Sequence, residues 1–178
     1  MSEKKITIFS TGGTIEKSYS EEEGSVSNRE SKLQSKLVSK LRTPYNNLEV
    51  FELMRKDSLD MTEDDRMFIS DQIIAASEKG QPIVVLHGTD TMEETLKVVR
   101  EHSPYPIVPV VFTGAMRPAG FDESDALQNF TEALYCARNL GPGLYLSFHG
   151  VLYRGGYAQK NRQLMTFEPK SPEALPFG

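Results

Sequence analysis

The chain has 178 residues, enough for one domain with a real core, and carries a net charge of −5 with a pI near 5.3. This acidic balance, with basic residues scattered rather than gathered into a stripe, argues against nucleic acid and membrane surfaces as partners. Cys136 is the only cysteine, so no internal disulfide forms; with no apolar run as long as a signal core or a membrane span, the expected setting is the cytoplasm.

In chain order, a first strand is expected over about Lys5 to Ser10, followed by a long loop rich in serine and glutamate. Leu33, Leu37, Val38 and Leu41 recur at helical spacing up to Pro44. A second strand is predicted from Leu48 to Met54, then a polar loop from Lys56 to Met61. Thr62 reads as an N-cap, with Glu63, Asp64 and Asp65 in the first helical turn, and that helix is expected to close at Gly80. A third strand covers Ile83 to His87. The helix beginning near Thr91 has Met92, Leu96 and Val99 on one face and a Glu93–Lys97 pair on another. A fourth strand lies near Val110 to Thr113. A helix from Ser124 is expected to bury Leu127, Phe130, Leu134 and Ala137, with Cys136 as a core residue. A fifth strand follows over Leu144 to Phe148. Beyond Gly150 the pattern breaks into short pieces that suggest a hairpin and a tail. Strands alternating with helices predict an α/β fold: a doubly wound, mostly parallel sheet with flanking helices. Residues 1–178 are taken as one domain, with a mobile lid over 16–31 and a tail over 169–178.

The chemistry gathers where strands empty into loops. Thr11-Gly12-Gly13-Thr14 follows the first strand. It lacks the spacing of a dinucleotide fingerprint and the Gly-Lys-Ser/Thr of a phosphate loop. Its glycines permit a tight turn that carries Thr14 to the tip; a turn whose threonines cap local backbone is the alternative. His87-Gly88-Thr89-Asp90-Thr91 follows the third strand. Asp90 or Thr91 can cap the next helix, yet that leaves unexplained a threonine, Thr89, next to a carboxylate at the mouth of a buried strand. A threonine hydroxyl becomes a nucleophile only beside a base. A neutral lysine is one such base, and Lys160 and Lys170 are the distal candidates. Ser58 and Asp60 alternate around Leu59 and suit a zwitterion, the hydroxyl donating to a carboxylate and Asp60 accepting from an ammonium; an ordinary polar loop is the other reading. Arg117 is either an anion ligand or a loop tie. His87, His102 and His149 have no metal-ligand spacing.

The segments Phe9-Ser10-Thr11-Gly12-Gly13-Thr14-Ile15, Leu86 to Thr95, and Thr113-Gly114-Ala115-Met116-Arg117-Pro118 resemble those of bacterial-type L-asparaginases, with the similarity running over roughly residues 5 to 168. The resemblance implies that Thr14 is the primary nucleophile and that Thr89, Asp90 and Lys160 form a second triad; the sequence leaves open which threonine forms the covalent bond first. It also implies that Tyr19 is a lid tyrosine, and that Ser58 and Asp60, with Asp90, hold the substrate's α-carboxylate and α-ammonium. The Gly88 and Thr89 region would supply backbone N–H groups to the oxyanion. The implied reaction is hydrolysis of L-asparagine through a threonine acyl-enzyme, with no cofactor and no metal. Two-domain members continue into a smaller domain that reaches a neighbouring subunit's site. This sequence does not extend that far and is similar to the short, single-domain members. A piece of a longer protein, and a relative of the archaeal tRNA-dependent amidotransferase subunit, are the other readings of its length. A homodimer or homotetramer built by the apolar residues after Gly150 is the expected assembly. A small amino-acid-binding module without catalysis is the rival function.

Overall fold

Strand β1 (Lys4–Gly12) forms because Ile6, Ile8 and Phe9 are β-favouring residues that the fold can bury on two faces. In the computed structural model, which describes residues 3–16, 18–20, 25–27 and 37–175, β1 lies inside a six-stranded sheet. On one side it pairs with β4 (Asn46–Lys56), on the other with β5 (Ile83–Leu86). The sheet then continues through β6 (Pro109–Thr113), β7 (Gly143–Phe148) and β8 (Val151–Arg154). All neighbours are parallel except β7 and β8, which form an antiparallel hairpin at one edge. The predicted mostly parallel α/β sheet is therefore present.

Alternation along the strands sends side chains into two separate cores. Ile6, Ile8, Val84, Leu86 and Val111 pack with Phe130, Ala133, Leu134 and Ala137 of helix α3 (Ala126–Asn139). Phe9, Ile83, Val85, Val110 and Phe112 pack on the opposite face with Ile69 and Ile73 of α1 (Glu63–Ser77) and with Met92, Leu96 and Val99 of α2 (Met92–His102). A sheet covered on both faces explains why β5, Ile-Val-Val-Leu, is apolar without a break. Each such buried aliphatic side chain stabilises the fold by about 1.5–3 kcal/mol. Leu127 departs from expectation: it is 37 % exposed, because the core-facing stripe of α3 runs through Ala126, Phe130, Ala133, Leu134 and Ala137. Cys136 is only half-buried, and burial pushes its thiol pKa up.

Local chemistry sets the ends of α1. Thr62 and Asp65 form a reciprocal capping box, and Lys56 Nζ binds the same carboxylate at 2.7 Å. The helix closes at Ser77, before the expected Gly80; Gly80, at φ +71°, finishes the following turn by donating to the Ser77 carbonyl. In α2 the expected Glu93–Lys97 pair gives way to other partners: Lys170 reaches Glu93 at 2.9 Å, and Lys97 lies 4.0 Å from Glu101. Of the helix expected around Leu33 to Leu41, the described part is a 3-10 turn at Val38–Lys40, and residues 31–36 lie outside the described residues.

Two small hairpins complete the chain. β9 (Ala158–Asn161) pairs with β10 (Thr166–Pro169), and β2 (Ser18–Ser20) pairs with β3 (Ser25–Ser27). Of the expected tail, 172–174 form a 3-10 turn whose Ala174 is fully buried.

Candidate active site

The chain runs from β1 outward to β4, crosses back over β1 to β5, and continues through β6 to β7. The direction of winding thus changes between β1 and β5, and the crevice at the carboxyl ends of those two strands is where such sheets bind ligands. The two threonine loops follow these strands. A third loop, the 3-10 turn Ser58–Asp60, follows β4 and so belongs to the same sheet edge.

Two glycines let these loops touch. A Cβ on Gly13, whose φ is +84°, would lie 2.5 Å from Gly88 Cα, and one on Gly88 would lie 2.6 Å from the Ser58 Cβ and Oγ. Any side chain at either position would drive the three loops apart. Thr91 Oγ1 fastens the arrangement by donating to the Ser58 carbonyl at 2.7 Å, and Thr11 Oγ1 donates to the Leu86 carbonyl at 2.9 Å. Thr91 does stand at the N-cap position of α2, but its hydroxyl makes no capping bond, so the simple capping reading is corrected.

His87 is buried beneath the loop. Its Nδ1 lies 2.8 Å from the Gly88 carbonyl, which can only accept, so Nδ1 carries the proton and Nε2 accepts from Thr95 Oγ1 at 2.8 Å. Burial depresses its pKa to about 4. It is a neutral scaffold for the loop.

Above it stands the charged cluster. Lys160 Nζ donates to Thr89 Oγ1 at 2.7 Å and to Asp90 Oδ1 at 3.0 Å. The hairpin register explains how a distal lysine arrives there. Lys160 faces Phe167 across β9 and β10, and neighbours on one face of an antiparallel pair travel together. Phe167 is anchored in the core against Phe148, ring centroids 5.0 Å apart, and its carbonyl accepts from the Tyr153 hydroxyl at 2.8 Å. The hairpin is also tied from above: His149 Nδ1 meets Thr166 Oγ1 at 2.9 Å, and His149 Nε2 meets Asp125 Oδ2 at 2.8 Å. Burial raises the Asp125 pKa, but the Met116 and Arg117 N–H groups and His149 outweigh it and hold the carboxyl below its usual range.

The other sequence-derived residues stand on separate elements. Ser58 is 1 % exposed, and its hydroxyl has no hydrogen-bond partner among the described residues. Asp60 is exposed at the end of the same turn. Thr14 is half-buried and opens the 3-10 turn Thr14–Glu16, which Ile15 anchors in the core. Tyr19 sits opposite Val26 in the small hairpin; its side chain lies outside the described residues, as does much of the lid assigned to 16–31. Lys170 is engaged with Glu93. Arg117 is exposed and pairs with Glu123, which fits a loop tie.

Sequence reasoning missed Arg162, whose Nη1 lies 3.0 Å from Asp90 Oδ1, the oxygen that Lys160 also contacts. Arg162 stands in the turn just after β9, two residues beyond Lys160. Sequence reasoning also missed Arg66, a buried arginine that ties the Met61 and Thr62 carbonyls to Glu94.

The chain as a whole has relatives. The chain is 30 % identical over 160 residues to an L-asparaginase of Thermococcus kodakarensis, covering 90 % of this chain and 48 % of that protein. It is 29 % identical over 148 residues to a glutamyl-tRNA(Gln) amidotransferase subunit of Thermoplasma volcanium, covering 78 % of this chain and 34 % of that protein. The structure of the thermostable T. kodakarensis L-asparaginase superposes with a TM-score of 0.83 at 28 % identity, over 93 % of this chain and 51 % of that one. The chain thus spans about half the length of the curated L-asparaginase it matches. The family model for the N-terminal part of asparaginase matches residues 5–177, and the chain belongs to the asparaginase family.

Proposed function

We propose that the chain carries the amidohydrolase chemistry of an L-asparaginase, converting L-asparagine to L-aspartate and ammonia through a threonine acyl-enzyme. The observation that carries this reading is Lys160 Nζ at 2.7 Å from Thr89 Oγ1, with Asp90 holding the amine at 3.0 Å. In its deprotonated form the amine takes the Thr89 proton as the hydroxyl oxygen attacks the side-chain amide carbon. As the tetrahedral intermediate collapses, the protonated lysine returns that proton to the departing amide nitrogen, which leaves as ammonia. Water then cleaves the ester by the same base. Thr14, next to Gly13 on the loop that meets Gly88, is the other nucleophile the family resemblance implies, and acylation there would take the place of acylation at Thr89. The Gly88 and Thr89 N–H groups are the donors assigned to the oxyanion, usually the largest single contribution to such catalysis.

The unpartnered Ser58 hydroxyl suits the substrate's α-carboxylate, and Asp60 and Asp90 suit its ammonium. Tyr19 would close over the site with the lid. The setting proposed is cytoplasmic, and the assembly a homodimer or homotetramer. Among the described residues no helix is long and apolar enough to cross a membrane. The apolar residues after Gly150 divide between two uses: Tyr153 and Phe167 are buried in the chain's own core, whereas Val151, Tyr157, Leu164 and Met165 remain exposed as material for an interface.

The amidotransferase similarity supports a second reading, in which the same amide chemistry releases ammonia for a partner protein. Steady-state ammonia release from asparagine and from glutamine by the chain alone separates the two. Asparagine turnover without partner or RNA supports the hydrolase; turnover that requires them supports the amidotransferase; binding without ammonia release would leave a small amino-acid-binding module. Glutamine is expected as a weaker substrate, since one methylene discriminates by about 1–3 kcal/mol in a simple pocket.

A further inference from the structure

We propose that the crevice at the amino-terminal ends of β6 and β7, on the far edge of the sheet from the threonine loops, binds a nucleoside monophosphate. This stands apart from the hydrolase reading and uses none of its residues. Between Arg100, in the last turn of α2, and Arg154, at the end of β8, lies a cavity of about 520 Å³. That volume suits a small molecule rather than a polymer. Both arginines and three tyrosines line it, and none of its described lining residues is acidic. A wholly positive cavity in a chain of net charge −5 calls for an anion. Neither guanidinium has a carboxylate partner among the described residues, and the neighbouring acid on α2, Glu101, lies 4.0 Å from Lys97. A single carboxylate would need one cation. Two guanidiniums match a phosphate monoester, which carries close to two negative charges at neutral pH.

The walls of the crevice are preformed. The Arg100 guanidinium lies over the Tyr157 ring, 5.0 Å from its centroid, and a Cβ on Gly156, at φ +82°, would stand 3.0 Å from Arg100 Nη1. Stacking occupies the flat face of a guanidinium and leaves its N–H edge for an oxyanion, which accepts two bonds from the fork. The last turn of a helix also favours a cation for its dipole. That accounts for a charge at Arg100 but for neither the stack nor Arg154, which faces Tyr145 across the β7–β8 pair. On the other side, Tyr105 is 89 % exposed between Pro104 and Pro106. Each proline fixes its own φ, and Pro106 also restricts the residue before it, so an exposed ring is held in place. Such a ring offers its face to a base, and base–aromatic stacking accepts any of the bases.

The test is calorimetric titration of the full chain with adenosine monophosphate, adenosine and inorganic phosphate, repeated on Arg100→Gln, Arg100→Lys, Arg154→Gln and Tyr105→Ala. The wild-type chain should bind adenosine monophosphate at least about tenfold more tightly than either fragment. Arg100→Gln should weaken it about tenfold, and Arg100→Lys by less, because the charge remains without the fork. Arg154→Gln, which removes a more exposed charge, should weaken it about threefold. Tyr105→Ala should weaken the monophosphate and adenosine about fivefold or more and leave phosphate as in the wild type. The four variants should keep the wild-type unfolding midpoint, since these side chains lie outside both cores. A variant that loses its fold leaves the remaining arginine and Tyr105→Ala to decide. No binding by the wild-type chain, equal binding of adenosine monophosphate and phosphate, or monophosphate binding unchanged in both glutamine variants overturns the proposal.

Discussion

Thr89 and Lys160 are 71 residues apart in sequence and 2.7 Å apart in space, so the activity of one hydroxyl hangs on a long-range contact. Removing the hydroxyl in Thr89→Val, or the amine in Lys160→Met, is expected to lower ammonia release about 10²–10⁴-fold, the usual contribution of a positioned base. Thr14→Ala should lose turnover to a similar degree. The three residues lie outside the two cores, so their unfolding midpoints should stay within about 1 kcal/mol of wild type, as is usual away from packed sites. Wild-type ammonia release from any of these variants would remove that residue from the assignment. Lys160 as partner of Thr89 could be named from resemblance but not from periodicity, because a four-residue strand such as β9 carries too few positions to reveal a face. Arg162 was missed for the same reason.

At the scale of elements, the β9–β10 hairpin is the piece that brings charge to the sheet edge, and it is held there by Phe167 below and by the Thr166–His149–Asp125 chain above. His149 stands at φ +47°, in a region that few non-glycine residues enter, and Asn129 accepts from its N–H at 3.0 Å. His149→Ala removes two side-chain hydrogen bonds. It should destabilise the protein by about 1–3 kcal/mol, read as a lower denaturation midpoint. If the hairpin positions Lys160, kcat should fall in the same variant at temperatures where the protein remains folded. Full kcat there would show that Phe167 alone suffices. The loop contact at Gly88 makes a sharper demand. A methyl group 2.6 Å from Ser58 Oγ cannot be accommodated without moving the turn, so Gly88→Ala should weaken substrate binding, seen as a raised KM.

For the whole molecule, acid is the revealing variable. Burial holds His87 neutral with a pKa of about 4, against an ordinary value of 6.5. Below pH 6.5 the unfolded chain takes up a proton that the folded chain refuses, so stability falls as pH drops from 6.5 to 4 and then levels for this group. The loss amounts to on the order of 3 kcal/mol. Asp125 and Asp65, both held below 3.8, add a further loss only below that pH. Urea titrations across this range should show the first decline, and His87→Asn should flatten it; a slope unchanged by the substitution would place the proton uptake elsewhere. Assembly belongs to the same scale: light scattering at micromolar protein should give a dimer or tetramer, and dilution should reduce specific activity if a neighbouring copy shapes the cleft.

The alternation of apolar strands with capped helices determined the parallel sheet, since burial on two faces demands unbroken runs such as Ile83–Leu86 and each helix needs a start such as Thr62. The positions of the two threonine loops followed, because ligands gather where strands end. Tertiary structure alone decided which distant groups meet there. It turned Glu93 toward Lys170 rather than Lys97, left Leu127 outside the core, set Thr91 to holding Ser58 instead of capping, and put Arg162 beside Lys160 on one oxygen of Asp90. Local pattern reports which face a residue occupies over a turn or a strand. It carries no information about which two faces are pressed together, and the electrostatics of the site depend on that.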